Sequence, residues 1–465
     1  MAARTYDCIV IGSGPGGYVA AIRSAQLGKK TAVIERDKVG GRCLNYACIP
    51  AKAVLRAADL LSEIRESEEF GLRVSGVEVD YAAVQARREK VVSTLTSGVA
   101  GLFKKGGIDL IEGDAALTAD GAVSVAGELI SAPTVVLATG SVPRSIPGVE
   151  FGGRVIGTEE AWALEELPAR LAVVGCGASG AEIASGFARL GSEVILLEAL
   201  DSVLPTEDSE ISRLVERGLK QQGIDVHKSS PVADVAATEQ GVSFSYGPPG
   251  ADGAAGAPGA EVDYLVIAAG RGADVEALGL AEAGVELEER GLVRVDAAMR
   301  TSRSGVYAIG DLVSGPALAH KASDEGIIAA EDSAGLQTHP LAHVDIPRAT
   351  FCTPNVGSFG LTEAQAREEG YDVVVGKAKY GAVGGGIVYG DPAGLVKVVG
   401  ERKYGELLGG HIVGARATEL IQELVNVRGL EGGFAEVGRI AHGHPTLSEA
   451  VMEAARAADG WLIHG

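Results

Sequence analysis

Cysteine is scarce, with five among 465 residues. That is too few, and odd in number, for the disulfide framework of a secreted domain. A close pair of cysteines in such a chain is therefore expected to be catalytic or metal-binding. No run approaches the roughly 18 consecutive apolar residues that a membrane helix needs. The chain passes from Met1 to Asp7 straight into the apolar run Cys8–Gly12. That lead is too short for a secretory signal, and the expected location is the cytoplasm. Positive charge is also in deficit: 41 Lys and Arg against 62 Asp and Glu give a formal charge of −21. A field of that sign repels nucleic acid and anionic membranes, so neither is expected as a partner. What remains, 46% hydrophobic and 22% charged residues, is ordinary for a soluble globular protein of about three domains.

Short Val/Ile/Leu runs alternate with helical stretches, the pattern of an α/β fold with parallel sheets. One pattern occurs twice. Residues 7–36 hold an apolar strand, the turn Gly12-Ser13-Gly14-Pro15-Gly16-Gly17, an Ala-rich helix and a strand ending at Glu35. Residues 171–198 repeat it with Gly175, Gly177, Gly180 and Glu198, and in both copies the acid stands 23 positions after the first glycine. Two later strands, one ending at Gly140 and the other at Gly270, are expected to close these units. The stretch 247–260, rich in Gly, Ala and Pro, reads as a hairpin loop without function of its own. After about residue 345 the glycine turns stop, and strands such as Leu395–Val399 alternate with helices such as Glu419–Val427 in a third, α+β domain.

Each glycine turn follows a strand, opens a helix and is trailed by an acid, the context that makes GxGxxG a dinucleotide signature. Gly12 and Gly175 permit the tight turns. Gly14 and Gly177 let backbone amides approach a pyrophosphate, and Gly17 and Gly180 let helix and strand pack closely. Glu35 and Glu198 are placed to accept ribose hydroxyls, and Glu198 repels a 2′-phosphate, which favours NAD over NADP. Downstream of the first unit stand Cys43, Cys48, Pro50 and Lys52. Pro50 suits the first turn of a helix, which sets Cys48 near its N-terminus with Lys52 one turn on; both effects favour a thiolate. No His or third Cys lies close enough in sequence to complete a metal site; the plain alternative is a pair of inert buried thiols. Cys8, Cys176 and Cys352 read as small buried residues. His444 and Glu449 have the chemistry of a base and its orienting carboxylate, suited to deprotonating a thiol; a surface His before an ordinary helix cap is the alternative.

Together, Gly12–Gly17, Gly41–Lys52, Ala138–Ser141, Gly175–Glu182, Ala308–Asp311, Leu318–Lys321 and His442–Glu449 resemble the pyridine nucleotide–disulfide oxidoreductase family, and within it the branch that oxidises dihydrolipoamide. The resemblance implies two Rossmann-like domains, for FAD (1–147) and NAD (148–270), a central segment (271–345) returning to the FAD domain, and a dimerisation domain (346–465). It implies that Cys43 meets the substrate, that Cys48 lies against the flavin, and that Lys52 sits near the flavin, paired with Glu182. FAD would be held by Gly12, Gly14, Gly17, Glu35, Lys52, Gly140, Asp311 and Ala319. NAD would be held by Gly175, Gly177, Gly180, Glu182, Glu198 and Gly270. His444, oriented by Glu449, would serve the partner subunit of an obligate homodimer. The implied partners are lipoyl domains of 2-oxo acid dehydrogenase or glycine cleavage complexes. Arg42, beside the redox pair, stands where the family typically has Thr. The rival reading is a related NAD(P)H-dependent disulfide or quinone reductase.

Overall fold

A computed structural model describes residues 4–248 and 258–465. Within them the chain forms two compact bodies. One gathers the chain up to Ala53 with Ala83–Arg144 and Gly270–His343; the other gathers Val54–Ala82, Ser145–Ala269 and Val344–Gly465.

The first body is built on a five-stranded parallel sheet in the order 306–308, 134–137, 8–11, 31–35, 109–112. Cys8–Ile11 and Thr134–Leu137 are buried at every position, as strands covered on both faces must be. Burying Ile9, Ile34 and Leu137 fully contributes about 1.5–3 kcal/mol each before entropy is counted. Helix α1 (Pro15–Gln26) follows the first strand, and helix α2 (Cys48–Glu66) opens just beyond the cysteine loop. Pro50 lies inside the first turn of α2, where no backbone N–H is needed, and Ala51 N–H closes on Ala47.

The second body repeats this order: 155–157, 264–267, 170–174, 193–197, 225–227, again all parallel. Each closing strand, Thr134–Leu137 and Tyr264–Ile267, pairs with the first strand of its own unit. Helix α3 (Ala178–Leu190) follows the second glycine turn, and helix α4 (Ser209–Gln221) is capped by the Asp208 carboxylate on Glu210 N–H. Of the stretch 247–260, residues 249–257 lie outside the described residues; the flanking strands Val242–Tyr246 and Gly259–Val262 pair antiparallel.

Helix α5 (Ala319–Asp332) belongs to the first body and packs on α1 through small residues. A Cβ on Gly326 would sit 2.5 Å from the Gly16 carbonyl oxygen, so only glycine allows this approach.

The second body also holds a five-stranded antiparallel sheet in the order 348–350, 356–360, 407–413, 395–401, 373–379. Helix α6 (Ser448–Ala458) lies on it, close enough that a Cβ on Gly376 would meet the Ala454 carbonyl oxygen at 1.9 Å. One polar row crosses all five strands: Arg348, Ser358, His411, Lys397 and Lys377 are successive cross-strand neighbours. Acids meet it. Lys397 lies 2.9 Å from both Asp208 and Glu363, Lys377 lies 2.6 Å from Glu210, and Arg348 lies 3.3 Å from Glu207. Among the described residues no helix is long and apolar enough to cross a membrane.

Candidate active site

The two glycine turns share one geometry. Gly12 and Gly175 adopt φ of +98° and +99°, a region open to glycine. A Cβ on Gly17 would fall 2.0 Å from the Gly12 oxygen, and one on Gly180 would fall 1.8 Å from the Gly175 oxygen. Gly14 and Gly177 have open space where their Cβ would stand, and each N-caps its helix without a side-chain hydrogen bond. Free helix N–H groups beside open space fit a dinucleotide's pyrophosphate at both turns.

The trailing acids are also equivalent. Glu35 Oε2 accepts the Ser13 N–H at 2.8 Å, and Oε1 accepts the Asp37 N–H at 2.9 Å. Glu198 Oε2 accepts the Cys176 N–H at 2.6 Å, and Oε1 accepts the Leu200 N–H at 2.9 Å. Each carboxylate thus joins the glycine turn to its own strand end and keeps at least one lone pair for a ribose. The copies diverge in one side chain. Ser13 hydroxyl donates to Glu35 Oε2 at 2.6 Å and accepts the Gly40 N–H at 3.1 Å. Cys176 holds the equivalent place, and burial pushes its thiol up to about 12.

Ser13 is a residue that sequence reasoning missed, since nothing in the glycine spacing distinguishes it. Through Gly40 it ties the first turn to the cysteine loop. Gly41 presses further: its Cβ would stand 2.6 Å from Gly14 Cα. Cys43, in the short helix Gly41–Asn45, hydrogen-bonds Cys48 at the head of α2, and all five cysteines are free thiols. The bond to Cys48 and burial drive the Cys43 thiol strongly upward, against the opposing fields of Lys52 and Arg42. Tyr18 on α1 faces the pair; burial, then Cys43 and Cys48, raise its phenol. No sequence pattern pointed to Tyr18.

Gly140 and Gly270 follow the two closing strands with φ of +79° and +137° and open Cβ positions. Beside Gly140, the Ser141 hydroxyl donates to the Asp311 carboxylate and accepts from Arg271 Nε, the latter at 2.8 Å. Ala319 is the first residue of α5. In the second body Glu182 is buried on α3 and accepts the Phe351 N–H at 2.9 Å.

His444 Nδ1 lies 2.9 Å from Glu449 Oε1, and Glu449 Oε2 accepts the Thr446 N–H at 2.9 Å. The imidazole is 74% exposed and the carboxylate 15%. Burial alone would raise Glu449, but the Thr446 amide and His444 outweigh it and hold the carboxyl below its usual range. His442 is separate, bound to the Ile440 carbonyl and to Glu423.

Residues 6–326 match the family model described as pyridine nucleotide-disulphide oxidoreductase, and residues 346–455 match that family's dimerisation domain. A dihydrolipoyl dehydrogenase of Bacillus subtilis is 40% identical, covering 99% of this chain and 100% of its own. One of Thermus scotoductus is 41% identical, covering 99% of both chains. Among solved structures, LpdA of Mycobacterium tuberculosis superposes with a TM-score of 0.87 at 25% identity, covering 97% of this chain and 99% of its own. The HOCl-induced flavoprotein disulfide reductase RclA of Escherichia coli gives 0.84 at 27% identity, with the same coverage. Matched over both its parts, the chain belongs to the pyridine nucleotide–disulphide oxidoreductase family.

Proposed function

We infer that the protein is a dihydrolipoyl dehydrogenase: it oxidises protein-bound dihydrolipoamide to lipoamide and reduces NAD. The observation that carries this is the Cys43–Cys48 contact tied, through Gly41 and Gly40–Ser13, to the first nucleotide turn. That contact supports redox chemistry at the pair next to a bound dinucleotide. The relatives named for this activity, about 40% identical over nearly the whole chain, support the substrate.

FAD fits the first turn and NAD the second, on the open faces of Gly14 and Gly177. When bound, FAD supplies a two-electron acceptor between a dithiol and a nicotinamide. The chain's own residues do the thiol chemistry. In the oxidised enzyme a substrate thiol, its proton taken by His444, attacks Cys43, forming a substrate–Cys43 disulfide and releasing Cys48 as the thiolate. The second substrate thiol attacks the substrate sulfur of that disulfide, and its proton passes to the departing Cys43 sulfur. Lipoamide leaves closed, and Cys43 and Cys48 remain reduced. The charge left on Cys48 is favoured at the N-terminus of α2 with Lys52 one turn away. Glu449 fixes the His444 ring so that Nε2 faces the substrate thiol. His444 acts in the partner's dithiol site of a homodimer, and the substrates are lipoyl domains of 2-oxo acid dehydrogenase or glycine cleavage complexes, met in the cytoplasm.

The test is an anaerobic titration of the purified protein with dihydrolipoamide, followed by NAD. A long-wavelength charge-transfer band and NADH formation, both lost in C48S, are expected. A flavin that responds to NADH but ignores dihydrolipoamide would move the substrate to another disulfide or a quinone, with Arg42 the first residue to exchange.

A further inference from the structure

Helix α5 turns a pair of charges inward. Lys321 Nζ and Glu325 Oε1 lie 3.2 Å apart, one helical turn from each other, and neither side chain reaches solvent. Both grip the same residue. Lys321 Nζ donates to the Gly310 carbonyl at 2.9 Å, and Glu325 Oε2 accepts the Gly310 N–H at 2.7 Å. Gly310 itself has φ of +73°, a left-handed turn that glycine adopts without strain. The ring of His343 stands 3.4 Å from Glu325 Oε1 at the solvent side.

Buried ion pairs are poor stabilisers, because two charges must be desolvated; apolar residues of similar volume often pack as well or better. Packing therefore does not explain this pair. What it touches does. The residue after Gly310 is Asp311, whose carboxylate takes the Ser141 hydroxyl, and Ser141 in turn accepts from Arg271. Ala319 opens the helix that carries the pair. Asp311, the Gly140–Ser141 turn and Ala319 are thus joined to one residue clamped at both its N–H and its carbonyl.

We propose that the Lys321–Glu325 pair positions the flavin site: it sets the Gly310–Asp311 turn, before cofactor arrives, in the orientation that presents Asp311 and Ser141 to FAD. The inference rests on the FAD reading above. Lys321 and Glu325 are positioning residues, since they touch the turn and not the cofactor.

The double variant K321M/E325L removes both charges and nearly preserves volume. Its fold is read by circular dichroism and melting of the flavin-stripped protein, and its grip on cofactor by the rate of flavin release, followed as rising flavin fluorescence. The expected result is a folded protein that melts lower, because the Gly310 N–H and carbonyl lose their partners, with flavin release roughly tenfold faster, the scale of a lost preorganised contact. Parental release from a folded double variant overturns the proposal. If that variant does not fold, hydrogen exchange in the unaltered protein decides. The Gly310 amide should be as protected in flavin-stripped protein as in the holoenzyme; protection that appears only with flavin overturns the proposal. An unaltered protein that neither carries nor takes up flavin overturns the cofactor reading instead.

Discussion

The carboxylate of Glu449 holds two things at once: His444 Nδ1 at 2.9 Å through one oxygen, and the Thr446 N–H at 2.9 Å through the other. One side chain therefore ties the imidazole to the turn that carries it, a turn the Thr446 hydroxyl also closes on the Gly443 carbonyl at 2.6 Å. In the proposed reaction His444 is the base, and a positioned general base contributes roughly 10²–10⁴-fold.

E449Q should lower turnover with dihydrolipoamide by about a hundredfold, an effect within that same range. It should leave flavin reduction by NADH near the parental rate, because that half-reaction needs no thiol deprotonation. Equal loss in both half-reactions, measured by stopped flow, would count against the assigned role. Stability gives a second readout. The folded carboxyl titrates below its usual range, so its contribution is present above the unfolded value of about 4.3 and lost as pH falls through the folded one. E449Q should melt below the parent at neutral pH, and the two should converge in acid.

Glu198 is predicted to set the nicotinamide cofactor. E198A removes the acceptor proposed for ribose and leaves the Cys176 and Leu200 amides without their partner. The KM for NAD should rise about tenfold, the scale of one hydrogen bond to a charged group, while use of NADP improves relative to NAD. An unchanged ratio of kcat/KM for the two cofactors would sink the assignment.

Ser13 is expected to matter more than its size suggests. S13A deletes the hydroxyl that links Glu35 to the Gly40 amide, leaving a buried N–H unsatisfied at about 1–3 kcal/mol. Its flavin should dissociate faster, and the Cys43–Cys48 pair should show altered thiol accessibility to a disulfide reagent. Because Cys176 fills the same place in the second unit, S13C gives the milder contrast.

The Asp208–Lys397 pair, with both side chains 4% exposed, gives a pH-dependent prediction. Removing one partner of a buried pair costs about 3–5 kcal/mol, and D208N isolates the charge effect because Asn keeps an N-cap acceptor for Glu210 N–H. Lys397 is raised despite burial, through Glu363 and Asp208; Asp208 is lowered despite burial, by Lys397 first. The Asp208 contribution is therefore lost as pH falls through its depressed value, and the Lys397 contribution as pH rises past about 10.4 toward its elevated one. Urea midpoints should separate K397M from the parent most between these limits. A constant difference across pH would argue that packing, not charge, is the cause.

Much of this was legible in the sequence, because the turns, their trailing acids and the closing strands are local patterns of fixed spacing. The head of α2 was legible for the same reason, since Pro50 announces a first turn. What was not legible lies in side chains joined across the chain. Ser13 meets Gly40 27 residues on, and Asp208 meets Lys397 189 residues away. Tyr18 is set against the cysteine pair only once α1 and the loop fold together. Lys321 and Glu325 sit at an ordinary helical spacing, and only the packing of α5 turns that face inward.

The polar row across the antiparallel sheet carries a consequence for how that sheet finds its pairing. Successive residues of a strand face opposite sides, so a slip of one position exchanges the two faces. In Leu395–Glu401 and Leu407–Val413 such a slip would drive Lys397 and His411 into the layer now filled by Val396, Val398 and Ile412. It would also leave Glu207, Asp208, Glu210 and Glu363 facing valines. The error would be felt on several strands together, so Arg348, Ser358, His411, Lys397 and Lys377 act as the wards of a lock that only one alignment of the sheet can open.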